Sequence, residues 1–378
     1  MTATYPPLYP SLARLLAPAA FARVTGRALG HAHLTREAIA GGLSGARIER
    51  LRVVPATEER VSATAPAAPG SAYILKNLDP TANWLMRASD DSACRELQLT
   101  QSPLWSRLPP AIWAPVLACV ASADGTGVLL LPDLTSDLFT ASGSYEPVDA
   151  ALVARIIAGL AALHATFWES AELSACPWLT SPAAALFALT PARLTAAITH
   201  EPLTHEHYAA RALGRWSQLP RLIASADAAA IQRVLDAPAR LVEALRAAPA
   251  TLAHGDAWLA NLGERNGRLI LLDWALCTAG PATFDSLWLA HTWRALDPDV
   301  TLAQHRQALD DRGVTAVRDD ATWQLLTDLA WVRTTLMGLE ALIGDVVSPT
   351  SPVPQPDALS RLRFWCRRTA SILQRRAW

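Results

Sequence analysis

The sequence is short of lysine. Of the 33 basic residues in a chain of 378, 32 are arginine and one, Lys76, is lysine. Arginine serves a charged surface well enough, so the one lysine marks a place where a compact ammonium is needed and a planar guanidinium fork is no substitute. Cysteine is scarce too: Cys94, Cys119, Cys176, Cys277 and Cys366 are odd in number and far apart. That excludes a CxxC zinc or redox motif, argues against a disulfide framework, and makes a reducing, cytoplasmic setting the expectation. Long apolar runs are missing. None approaches the roughly 18–20 residues of a membrane span, and the apolar stretch 15–22 contains Pro18 and is too short for a secretory leader. Charge of one sign is missing as well. The net charge is −1, so no global attraction to nucleic acid or to an anionic membrane is expected. No Walker P-loop, GxGxxG, GxSxG or HExxH occurs.

What is present is enough apolar material, 51% of residues, to fill a large core. The length suggests two lobes. Residues 1–34 read as a peripheral helical extension, and 34–43 as a short helix stopped by Gly41, Gly42 and Gly45. Strand patterns follow around Ile48, Leu51, Val53 and Val54, then at 60–65 and 72–78, with a turn at 66–70. A helix is expected over 88–100, then strands at 116–120 and 128–131. Residues 35–134 thus form a small, mostly antiparallel lobe. Residues 135–345 form a larger lobe, opening with a polar linker to 147. Its first helix spans 149–168, where Leu152, Ile156, Leu160, Leu163 and Phe167 recur at helical spacing. A strand pair surrounds Asn266-Gly267; most of the rest of the lobe is helical. Residues 346–378 are a proline-rich linker and a final helix, whose six arginines lie mainly away from its apolar face and read as solvated. The fold class is α+β.

The chemistry concentrates in His254-Gly255-Asp256-Ala257-Trp258-Leu259-Ala260-Asn261, followed by Leu271-Leu272-Asp273-Trp274. Asn261 and Asp273 offer hard oxygen ligands of the kind Mg²⁺ takes alongside water and phosphate. In a tight loop Asp256 faces the same cleft and can accept a proton from an attacking hydroxyl. Lys76 ends a strand-like run and can meet nucleotide phosphates.

This set resembles the aminoglycoside phosphotransferase and choline kinase-like family, small-molecule kinases of the protein-kinase-like fold, over about residues 35–345. Tyr73-Ile74-Leu75-Lys76 resembles the family's lysine strand, and Arg95-Glu96-Leu97 the helix whose glutamate pairs with that lysine. The run Leu129 to Leu134 resembles the hinge beside the adenine. The resemblance implies a bilobal fold with the nucleotide held by residues 35–134. It implies Asp256 as catalytic base, His254 as a brace of the catalytic loop, and Asn261 and Asp273 as Mg²⁺ ligands. Lys76 held by Glu96 would bind the phosphates, and backbone groups of Leu131, Pro132 and Asp133 would meet the adenine. Asp285 would fix structure at a helix start. ATP is the expected donor, GTP an alternative, and the acceptor a hydroxylated small molecule.

The departure lies at residues 55–60, Pro-Ala-Thr-Glu-Glu-Arg, where the phosphate-covering loop has no glycine and carries Glu58 and Glu59. Carboxylates there repel a polyphosphate unless they turn away. That supports the alternative of a catalytically degenerate nucleotide- or metabolite-binding relative. Residues 169–250 hold seven acids and seven bases, with Trp178, Phe187, Tyr208 and Trp216. A polycation would favour an acidic wall, so the balance leans towards a neutral or weakly charged acceptor. His31, His33, His205 and His207 lack metal-site spacing and read as surface residues, and most of the 14 tryptophans as core.

Overall fold

The computed structural model describes residues 5–39, 46–55, 72–139, 149–199, 208–348 and 355–378. The strands are β1 (Leu8–Tyr9), β2 (His33–Ile39), β3 (Ile48–Val54), β4 (Ala72–Leu78), β5 (Ile112–Trp113), β6 (Ala118–Ala121), β7 (Gly127–Pro132), β8 (Thr251–Ala253), β9 (Leu262–Arg265), β10 (Arg268–Leu271) and β11 (Thr278–Gly280).

The small lobe is a six-stranded sheet in the order β1-β6-β7-β4-β3-β2. Strand alternation gives β3 one buried face, with Leu51 and Val53 turned inward. One side of the sheet packs Leu51, Tyr73, Leu75 and Leu130 against Leu15 and Phe21. The other packs Leu78, Leu129 and Leu131 against Met86 and Leu97. The segment expected to be a peripheral extension is therefore part of this lobe. Its helices cover one sheet face, and β1 runs parallel to β6. Of the short helix expected over 34–43, residues 34–39 belong instead to β2, an edge strand paired with β3 along seven residues, and 40–43 lie outside the described residues. Inter-strand pairing outweighs a weak local helix preference, and ion pairs Arg36–Glu49 and Arg52–Glu37 tie the two strands together. The helix expected over 88–100 is two short ones, Trp84–Ala88 and Arg95–Thr100. Asp90 and Cys94 have left-handed backbone between them, and the Asp91 carboxylate accepts from the Arg95 N–H at 2.8 Å.

In the large lobe the helix Ala150–Thr166 packs against β10, which runs antiparallel to β9 and parallel to β5. Asn266 and Gly267 both have positive φ, as a two-residue hairpin turn of this twist requires. The long helix Asp320–Val347 is the lobe's axis, and the final helix Gln355–Arg376 buries Leu362, Trp365, Cys366 and Leu373 against it. The arginines of that last helix are docked more than the solvated reading expected. Arg368 makes two bonds to Asp299 at 2.6 and 2.7 Å, and Arg375 and Arg376 each bond Asp328 at 2.7 Å. The whole is α+β, a small sheet lobe over a larger helical one. Among the described residues no helix is long and apolar enough to cross a membrane. His31 and His33 are exposed, as expected; His205, His207 and the loop with Thr57, Glu58 and Glu59 lie outside the described residues.

Candidate active site

Lys76 sits on β4, where alternation turns its side chain into the cleft. Its ammonium donates to Glu96 Oε2 at 2.5 Å and to Asp273 Oδ1 at 2.8 Å. Burial works against that charge, but the two carboxylates outweigh it and hold the Lys76 pKa well above its ordinary value. Asp273 follows β10 with φ +60°, a left-handed backbone rare outside glycine and often found at functional positions. Its carboxylate remains 38% exposed. Lys76 outweighs burial there too and holds its pKa below the ordinary value.

The second half of the site begins where β8 ends. Gly255 has φ +84°, and a Cβ there would lie 2.1 Å from the Leu276 carbonyl oxygen, so only glycine fits. Asp285 fastens this turn from behind. Its Oδ2 accepts from the His254 N–H at 2.7 Å and lies 3.0 Å from His164 Nε2, while its Oδ1 accepts from the Gly255 N–H at 2.7 Å. These bonds outweigh burial and take its pKa down to about 2. Asp285 is inside the first turn of Thr283–Thr292, whose N-cap is Ala282. It therefore sits at a helix start, as expected, and from there acts as a clamp on the loop and not as the helix's own N-cap. Arg333, fully buried on the long helix, donates to the Gly255 carbonyl at 2.5 Å.

His254 is fully buried and does not line the cavity in front of the loop. Its Nδ1 accepts from the Asp256 N–H at 3.3 Å, so Nε2 carries the proton and donates to Leu272 O at 2.9 Å. Burial lowers its pKa. His254 is thus placed as a positioning residue and not one that meets a reacting group: its ring joins the loop to the strand that delivers Asp273.

Asp256 does face the cavity. Trp288 Nε1–H donates to its Oδ1 at 2.9 Å, and Asn261 Nδ2 donates to its Oδ2 at 3.0 Å. Burial first, and then the negative charge of Asp273, push its pKa up to about 7. Asn261 Nδ2 also donates to the Asp256 carbonyl, which leaves Asn261 Oδ1 as its free acceptor. The Leu272 N–H donates to Asn261 O at 2.9 Å and so holds Asn261 beside the Asp273 strand. A carboxylate and an amide oxygen on one wall fit Mg²⁺, which takes few protein ligands and keeps water and phosphate oxygens. Among the described residues no group of three or more His, Cys, Asp or Glu forms a denser metal site.

At the hinge, two of the three expected residues offer no free N–H. Pro132 has no N–H, and the Asp133 N–H is taken by Ala72 O at 3.2 Å. The Asp133 side chain binds Arg50 at 3.0 Å and the Thr135 N–H at 3.1 Å. Neither residue has an N–H left for a purine. The Leu134 N–H, one residue on, donates to no other described residue.

Asp256, Asn261 and Asp273 share the wall of a cavity of about 500 Å³. Of the four aromatics singled out in 169–250, only Tyr208 reaches it; Trp84, Trp258 and Trp288 supply the other rings. Sequence reasoning missed Trp288 and Arg333. Neither stands in a motif, and their partners lie 32 and 78 positions away.

The profile of the family described as Phosphotransferase enzyme family (APH) matches residues 95–319. Among solved structures, spectinomycin phosphotransferase APH(9)-Ia in complex with ADP and spectinomycin is similar at 11% identity and a TM-score of 0.46, covering 91% of this chain and 94% of that one. A choline/ethanolamine kinase family protein from Mesorhizobium loti is similar at 14% identity and a TM-score of 0.43, covering 91% and 92%. No curated protein matches the sequence.

Proposed function

The chain belongs to the phosphotransferase enzyme family, and from that premise we propose that it moves the γ-phosphate of ATP to a hydroxyl of a small molecule, directly and in line, in the cleft between its lobes. The observation that carries this is Asp256. Both its oxygens are held by hydrogen bonds, and it shares one cavity wall with Asn261 and Asp273. Asp256 orients the acceptor hydroxyl and takes its proton as the oxygen bonds to the γ-phosphorus and the bond to the β–γ bridging oxygen breaks. The products are a phosphomonoester and ADP. Lys76, kept cationic by Glu96 and Asp273, binds the α/β-phosphates. Asn261 and Asp273 hold Mg²⁺, which when bound neutralises charge on the β/γ oxygens. His254, Asp285 and Arg333 keep the loop in place. Residues 35–134 carry the nucleotide, with the Leu134 N–H on the adenine. GTP is the alternative donor and the cytoplasm the proposed setting. The degenerate reading is not favoured, because lysine, base and both metal ligands are all present and brought together.

Thermal melting with Mg²⁺-ATP, and with Mg²⁺-GTP, tests the nucleotide half. Binding to the folded state raises the midpoint by mass action. A Mg²⁺-dependent rise is expected in the natural protein and in Asp256→Asn, and little or none in Asp273→Ala. No rise at millimolar nucleotide would refute the site.

A further inference from the structure

The cavity beside Asp256 is of a size that takes a drug-sized ligand. Its walls are aromatic and aliphatic: Trp84, Trp258 and Trp288 stand around Met337 and Leu342 of the long helix. Gly338 lets the His291 ring pack directly on that helix, because a Cβ there would lie 2.0 Å from His291 Nε2.

Apart from Asp256 and Asp273, the wall has two carboxylates among the described residues, and the protein already matches both. Glu340, 3% exposed, pairs with Arg215 and accepts from the Tyr208 hydroxyl at 3.0 Å. Asp345 pairs with Arg294. An amine entering this cavity would shed water and, among the described residues, find no unmatched wall carboxylate outside the catalytic pair, which is costly. Four of the wall's rings are already packed in pairs: Trp84 stacks on Tyr208 with centroids 5.3 Å apart, and Trp288 stacks on His291 at 5.2 Å, so each pair presents as a stack and not as two rings facing one central cation. An apolar ring system has every reason to enter, since it would pack against the aromatic wall and cover the aliphatic floor of Met337 and Leu342.

We infer that the acceptor is an uncharged alcohol carried on an apolar, ring-bearing body, not an amino sugar or a quaternary ammonium alcohol. This rests on the phosphotransfer reading only for the word acceptor; the ligand class rests on the cavity.

Calorimetric titration of the full chain tests it, with 2-(2-naphthyl)ethanol as the neutral probe and kanamycin and choline as the cations. The neutral alcohol should bind roughly tenfold more tightly than either cation or better, a difference of about 1.4 kcal/mol. Ala341, exposed on the cavity wall, provides the variant. Ala341→Asp adds a carboxylate the protein does not match, so it should weaken the alcohol and strengthen the cations. A cation binding the natural protein as tightly as the alcohol, or no binding by the alcohol, overturns the inference, and the natural protein's ranking decides even if the variant does not fold. An unchanged preference in a folded Ala341→Asp overturns it as well. The Mg²⁺-ATP melting shift needs no acceptor. Its loss with alcohol binding intact would sink the phosphotransfer reading alone.

Discussion

Asp273 and Asp285 lie twelve positions apart and are the same residue, yet they do opposite kinds of work. Asp285 is fully buried, and three donors occupy both its oxygens. Asp273 shares Lys76 with Glu96 and keeps its carboxylate partly open to the cleft. A carboxylate with both oxygens bonded and buried holds a structure together; one that stays partly exposed can bind something that arrives. The difference lies in the number and reach of the partners, not in the residue type.

The largest expected effect separates the two by activity. Asp273→Ala should lower phosphotransfer by about 10²–10³-fold, the scale for losing a preorganised electrostatic contact, measured with an identified acceptor. Its urea midpoint should change little, since Lys76 keeps Glu96. Asp285→Ala is the converse. It strands the N–H groups of His254 and Gly255 and should cost about 2–4 kcal/mol of stability by urea unfolding. If both variants lost the same stability, the contrast would collapse.

Acid sharpens the same contrast. The folded pKa of Asp285 is lowered from 3.8 to about 2, so its contribution is complete above 3.8 and is lost as the pH falls from there towards 2. Unfolding free energy followed over that window should fall less steeply with acid in Asp285→Ala than in the natural protein. The smallest effect concerns the loop that Asp285 clamps. Trp288→Phe removes one hydrogen bond from Asp256, worth ~1 kcal/mol, and should lower kcat about fivefold with nucleotide binding unchanged. A variant with full kcat would show that Asn261 alone positions Asp256.

Much of the site was legible because its parts sit in short segments. Asp256 and Asn261 lie within one loop, Asp273 ends a strand, and a single lysine in an arginine-rich chain stands out. The two lobes were legible from the length and from the family resemblance, and the helix over 149–168 from apolar periodicity. What failed was local reading where distant pairing decides. Residues 34–39 became a strand because β3 lies beside them, and Leu15 and Phe21 became core because the sheet offered a face. The Asp133 N–H is likewise taken by Ala72 across the sheet, a pairing no local pattern shows.

The sequence by itself determined which chemical groups are available: one ammonium, a loop acid, an amide and a strand-end acid, in an order and spacing that few chains share. The tertiary structure alone decided which oxygens stay free, which rings face the cavity and which charges are already matched. Those depend on partners tens of positions away, such as Arg215 for Glu340 and Trp288 for Asp256. Hydrogen bonding and burial are properties of neighbours in space, and no spacing along the chain encodes them directly.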